Sequence, residues 1–171
     1  MADRIRGVVI GLAVRQDDPE ELGRVKVRFP WMKDEPESGW ARVAAPMAGP
    51  ETGFFFQPEP GEEHEALVAF EQGDPNRPYI VGWLWNGDHA PPADDPQQRV
   101  IKTAKGHTVT LDDRDGEESI TLEDSSGNKI MMHSDGITIE TTGDLILKGT
   151  NVEIEASAQL TGKGNPIHLN P

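Results

Sequence analysis

The sequence predicts an all-β protein in two unlike parts: a small barrel, then a repetitive β-structure that one chain cannot close. Three observations carry this. The 171 residues include 18 Gly and 14 Pro, which interrupt nearly every stretch long enough for a helix. All four Trp, all five Phe and the single Tyr fall within residues 1–88, and residues 99–171 hold no aromatic. In that aromatic-free part, apolar pairs spaced i, i+2 recur every 7 to 10 residues, the mark of short strands separated by turns.

The first part, residues 1–88, reads as six strands: Ile5–Val14, Gly23–Phe29, Trp40–Ala45, Gly53–Gln57, Glu65–Glu71 and Tyr79–Trp85. Val25-Lys26-Val27-Arg28-Phe29 alternates apolar and basic residues, as a half-buried antiparallel strand does. Turn residues separate the strands at Asp17-Asp18-Pro19, Glu35-Pro36, Pro58-Glu59-Pro60-Gly61 and Gly73-Asp74-Pro75. Short strands at this density suggest a closed barrel, with an OB-type Greek key leading over a sandwich or another small barrel. Residues 89–116 read as a linker and lead-in strand; its start, His89-Ala90-Pro91-Pro92-Ala93-Asp94-Asp95-Pro96, is rich in proline and lacks strand alternation.

Residues 117–160 carry the repeat. Its pairs are Ile120/Leu122, Ile130/Met132, Ile137/Ile139, Leu145/Leu147 and Val152/Ile154, with Gly, Asp and Asn turns between them. Strands this short span roughly 10–14 Å. One chain turning every eight or so residues can present an inward pair on each rung but cannot surround it. Each apolar side chain left wet forfeits roughly 1.5–3 kcal/mol, and the strand edges stay unpaired. Copies arranged around an axis solve both problems, so the ten paired residues are expected to line that axis. The alternative is a meander of hairpins, which lacks any sheet or helix to cover its apolar face.

Charge limits the partners. The chain has 16 basic and 30 acidic residues, a net of −14. That opposes nucleic-acid binding, which needs clustered Lys and Arg, and stable docking on an anionic membrane. There is no cysteine, hence no disulfide or thiolate metal site. The N-terminus has no apolar run of signal-peptide length, so the chain is expected to be made in the cytoplasm without a signal peptide.

Several stretches resemble one family in order and spacing. They are Gly23-Arg24-Val25-Lys26-Val27-Arg28-Phe29-Pro30-Trp31, Gly53-Phe54-Phe55-Phe56-Gln57-Pro58-Glu59-Pro60-Gly61, Ala69-Phe70-Glu71-Gln72-Gly73-Asp74-Pro75-Asn76-Arg77-Pro78-Tyr79 and Lys105-Gly106-His107-Thr108-Val109-Thr110-Leu111-Asp112. Together they resemble VgrG and the phage baseplate assembly protein V family, the central spikes of contractile injection systems. The resemblance implies an N-terminal OB-fold barrel followed by an intertwined trimeric triple-stranded β-helix. It implies a homotrimer whose partners are hub and baseplate proteins, the inner tube and, at the tip, a PAAR-type protein. It implies assembly into a phage tail or injection particle, with transient contact at a target membrane. Relatives often carry a hub domain before the barrel; here residue 1 lies almost at the first strand.

Chemistry is sparse. Asp112-Asp113-Arg114-Asp115 and Glu117-Glu118 read as a solvated acidic turn, with nothing to distinguish a general acid from a nucleophile. Asp74, Asp88, Asp94 and Asp95 flank turns but lack the alternation of a calcium loop. No phosphate-binding glycine loop or zinc motif is present, so no enzyme is expected. The sharpest metal candidate is the end of the chain, residues 161–171, read as a tip or cap-docking segment. There His168 and Asn170 fall on one side of an extended segment. Three copies would bring three imidazoles and three amide oxygens together, a set suited to iron or another divalent metal; the resemblance implies His-x-His there, and this chain has His-x-Asn. A second reading makes the barrel a binding module for oligosaccharide or single-stranded nucleic acid, stacking ligands on Trp31, Trp40, Phe54, Phe55 and Phe56.

Overall fold

A computed structural model of the chain describes residues 4–59 and 63–167. Every regular element except one short 3-10 turn, Glu71–Gly73, is a strand. The first sheet contains β1 (Val8–Arg15), β2 (Lys26–Arg28), β3 (Arg42–Val43), β6 (Glu65–Phe70) and β7 (Pro78–Leu84), in the order β2-β1-β6-β7-β3. A two-stranded hairpin, β4 (Ala48–Gly49) and β5 (Thr52–Gly53), follows β3.

The first sheet closes on itself. Just before β2, Val25 exchanges both backbone hydrogen bonds with Ala41, just before β3, at 2.9 and 2.8 Å. All pairings are antiparallel except β3 with β7. The result is a small OB-type barrel, and closure removes the exposed edges an open sheet would present. Its interior is Ala13, Val25, Val27, Phe29, Ala41, Ala66, Val68, Phe70 and Ile80, all buried. The Val25–Phe29 alternation therefore points its apolar residues inward, as the sequence predicts.

Two polar clusters pin the barrel's loops. After β1, the Asp18 carboxylate accepts the backbone N–H groups of Glu20, Leu22 and Arg24 at 3.0 to 3.2 Å, and the Arg24 guanidinium at 2.6 and 2.9 Å. Beside β2, the Ser38 hydroxyl accepts from the Val27 N–H at 3.1 Å and donates to the Gly39 carbonyl at 2.6 Å.

One expected strand is corrected. Gly53–Gln57 does not continue as a strand; β5 ends at Gly53, and Phe54, Phe55 and Phe56 follow outside any sheet. The last hairpin bond runs from the Phe54 N–H to the Met47 carbonyl at 3.0 Å, and beyond it the chain has no partner strand among the described residues. Gly53 sits at φ +147, and a Cβ there would lie 2.5 Å from the Met47 carbonyl oxygen. Only glycine fits so close to backbone. Gly53→Ala is expected to lower stability by ~1–3 kcal/mol, seen as a fall in the barrel's unfolding midpoint; an unchanged midpoint would show that the hairpin is free to relax.

The second sheet is a continuous meander: β8 (Gln98–Lys102), β9 (Thr108–Asp112), β10 (Ser119–Glu123), β11 (Lys129–His133) and β12 (Gly136–Glu140), each antiparallel to the next. It begins at Gln98, within the range read as linker and lead-in strand. Residues 141–167 contain no strand. Within one chain, then, residues 98–140 adopt the meander of hairpins weighed as the alternative above.

Turn chemistry sets its register. In the β10–β11 turn, Asp124 accepts from the Ser126 and Asn128 N–H groups at 2.8 and 2.9 Å and from the Asn128 amide at 2.7 Å. The Asn128 Oδ1 in turn accepts the Thr141 hydroxyl at 2.7 Å and the Thr142 N–H at 3.1 Å. The chain leaving β12 is thereby tied back to the preceding turn.

Candidate functional site

The meander has two chemically unlike faces, because side chains alternate along each strand and directly paired residues share a side. One row across the five strands reads Arg99, Leu111, Ile120, Met132, Ile137; the next reads Ile101, Val109, Leu122, Ile130, Ile139. Nine of these ten side chains are apolar. The exception, Arg99, lies on the edge strand and is paired with Asp113 at 2.5 Å. The opposite face is mixed: one row reads Val100, Thr110, Thr121, Met131, Thr138, and beside it lies the Lys129–Glu140 ion pair at 3.2 Å.

The burial pattern is inverted relative to a self-sufficient domain. Ile120 is 45% exposed, Leu122 43%, Ile139 55% and Ile137 69%. Thr110, Thr121 and Met131, on the other side, are half-buried. An apolar area spread over five paired strands and open to water is characteristic of an interaction surface.

Of the predicted axial residues, Ile120, Leu122, Ile130, Met132, Ile137 and Ile139 are thus brought onto one face in two aligned rows. Leu145, Leu147, Val152 and Ile154 continue the spacing but lie outside any strand, at 56, 63, 57 and 63% exposure. Sequence reasoning missed that Ile101, Val109 and Leu111 extend the same face. Val109-x-Leu111 carries the same i, i+2 signal.

One residue of the acidic turn is corrected; Asp113, Asp115, Glu117 and Glu118 are exposed, as read. Asp112 is not solvated but buried, at 7% exposure. It accepts the Arg114 guanidinium at 2.6 and 2.9 Å and the Gln98 amide at 2.8 Å, locking β8 and the turn after β9 together. The pair is structural. Asp74 and Asp95 likewise cap turns, accepting the N–H groups of Asn76 and Gln97 at 3.0 and 2.9 Å. Among the described residues no group of three or more His, Cys, Asp or Glu could hold a metal. His168 and Asn170 lie outside the described residues.

These carboxylates predict a pH profile. Arg24 holds the Asp18 carboxyl well below the usual range, Arg114 does so for Asp112, and the Asn128 amide lowers Asp124. A carboxyl with a depressed folded-state pKa stabilises the fold above its unfolded value and loses that contribution as pH falls through the folded one. The unfolding midpoint is therefore expected to hold steady down to about pH 5 and to decline below about pH 4. A midpoint that rises on acidification would contradict these assignments.

Four of the five aromatics proposed for ligand stacking are divided among three settings. The Trp31 indole donates to the Ile10 carbonyl at 2.9 Å and meets Phe29 edge-on. Trp40 lies under the cationic groups of Arg15 and Lys26. Phe54 and Phe56 stack on each other beside the β4–β5 hairpin.

A closed OB-type barrel followed by an antiparallel sheet with one open apolar face defines an oligomerising β-protein. Residues 9–85 match the type VI secretion system/phage-baseplate injector OB domain, and residues 98–165 match the phage baseplate V C-terminal trimerisation domain. Over 120 residues, the chain is 32% identical to the actin cross-linking toxin VgrG1 of Vibrio cholerae and also to the type VI secretion system spike protein VgrG3 of that species. It is 29% identical over 143 residues to the spike protein VgrG1b of Pseudomonas aeruginosa. The matches cover 67 to 75% of this chain but only 10 to 19% of those proteins. The chain belongs to the VgrG/baseplate V family. Its match to a trimerisation domain supports a homotrimer.

Proposed function

We propose that the chain is a structural spike component of a contractile injection system or phage tail, assembled as a homotrimer around the apolar face of its second sheet. The observation that carries this reading is the pair of aligned apolar rows, uncovered in one chain and lying inside the segment that matches a trimerisation domain. In the trimer the meander and the segment after it interlock into a triple-stranded β-helix. Ile120, Leu122, Ile130, Met132, Ile137, Ile139, Leu145, Leu147, Val152 and Ile154 face the axis.

The role is mechanical. A contracting sheath drives the spike against a target membrane, and the spike must resist local unfolding more than it must recognise a ligand. Backbone hydrogen bonds between chains suit this, because separation must break many of them together. The acidic exterior, three times −14, keeps assembled particles from sticking to one another. Hub and baseplate proteins and the inner tube would meet the barrel end, and a PAAR-type cap the other.

Electron microscopy of isolated tail or secretion particles carrying a label on this chain tests the role. The label is expected at the tip end of the tube. Label on the sheath, or particles that assemble and contract normally without the chain, would contradict it. Oligonucleotide-shift and peptidoglycan-release assays are expected to be negative.

A further inference from the structure

Resting on the trimer reading, we propose that the aromatic loop Phe54–Phe56 is a second interface between copies, which docks each barrel onto the next one around the axis. The loop is a fixed apolar platform. Phe54, Phe55 and Phe56 are 51, 77 and 59% exposed, and Met47 beside them 53%. Phe55 lies over Gly23, where a Cβ would come 3.1 Å from its ring, and the Gln57 amide donates to the Gly23 carbonyl at 2.5 Å. With the β4–β5 hairpin and Trp83, the loop walls an open cavity of about 760 Å³.

Charge and tethering select the occupant. Residues 44–57 carry one charge, Glu51, in a chain of net −14. Strongly acidic copies approach more readily through a surface poor in charge, and interface centres are depleted in charge and rich in aromatics and Met. The chain between Leu84 and Gln98 spans at most ~50 Å when fully extended. Trimerisation through the second sheet therefore holds the barrels at millimolar-scale local concentration, where a modest apolar patch is enough to pair them. A cyclic trimer also needs two unlike surfaces per copy. The barrel supplies the other: Val8, Ile10 and Val81 are 55, 44 and 45% exposed on its first sheet.

The chain has no native thiol, which makes the test direct. Phe55→Cys and, as a reference, the exposed position in Lys33→Cys are labelled with a bulky thiol reagent in the full-length protein, and the mass of each variant is measured. A trimer in which position 55 reacts at least ~10-fold more slowly than position 33 supports the proposal. Adding Ile10→Lys should then restore fast labelling at position 55 while the mass stays trimeric; continued protection would overturn the assigned docking partner. A trimer with both positions equally reactive overturns the proposal and leaves the sheet-mediated trimer standing. A single-chain mass overturns both, and slow labelling at position 55 in a single chain assigns the protection to local packing instead.

Discussion

Ile139→Asp is expected to convert the particle into single chains. Ile139 lies in the second apolar row, paired across the ladder with Ile130. Around a three-fold axis the substitution brings three carboxylates together in a place that excludes water. Each loses its hydration and faces two like charges, a cost of several kcal/mol per chain that the remaining apolar contacts cannot offset. Thr138→Asp is the matched control. It adds the same charge one residue away, on the opposite face of the same strand, and is expected to leave the trimer intact. The difference between the two variants, read by light scattering, reports the face and not the charge. A trimer of undiminished stability with Ile139→Asp would remove the axial assignment.

Ile80→Ala is expected to cost the barrel ~2–5 kcal/mol. Ile80 is fully buried on β7, within a core that also holds Val25, Val27 and Val68 at no exposure. The barrel is small enough that each lost kcal/mol lowers its midpoint by about 4–8 °C. The core of buried apolar residues lies wholly in the barrel, and no element of the second sheet contributes to it. The loss should therefore appear in a barrel transition, with the trimer's mass unchanged. A mass that falls together with the midpoint would mean that barrel and sheet are one cooperative unit.

Much of this architecture is legible in the residues. Val25–Phe29 alternates because its strand has one face in the core, and the aromatic-free half adds nothing to that core because its apolar side chains lie on an open face. The pairs from Ile120 to Ile139 announce strands, faces and turns at once. Where the reading departs from the fold, longer-range contacts decide. The three phenylalanines have strand-like propensity, yet past the Phe54 N–H no described strand pairs with them. Asp112 looks like one more surface acid until Gln98, on a neighbouring strand, is seen to reach it. Leu145 to Ile154 keep the repeat's spacing without forming a strand in a single chain, since a strand needs a neighbour to satisfy its backbone. In the proposed trimer that neighbour would come from another copy.

Two further copies are expected to close the open face of the second sheet. The mass of the purified 171-residue chain in solution at micromolar concentration, measured by multi-angle light scattering, decides this. A trimer gives three times 18.7 kDa. A mass of 18.7 kDa, with the apolar rows still open to solvent, would contradict it.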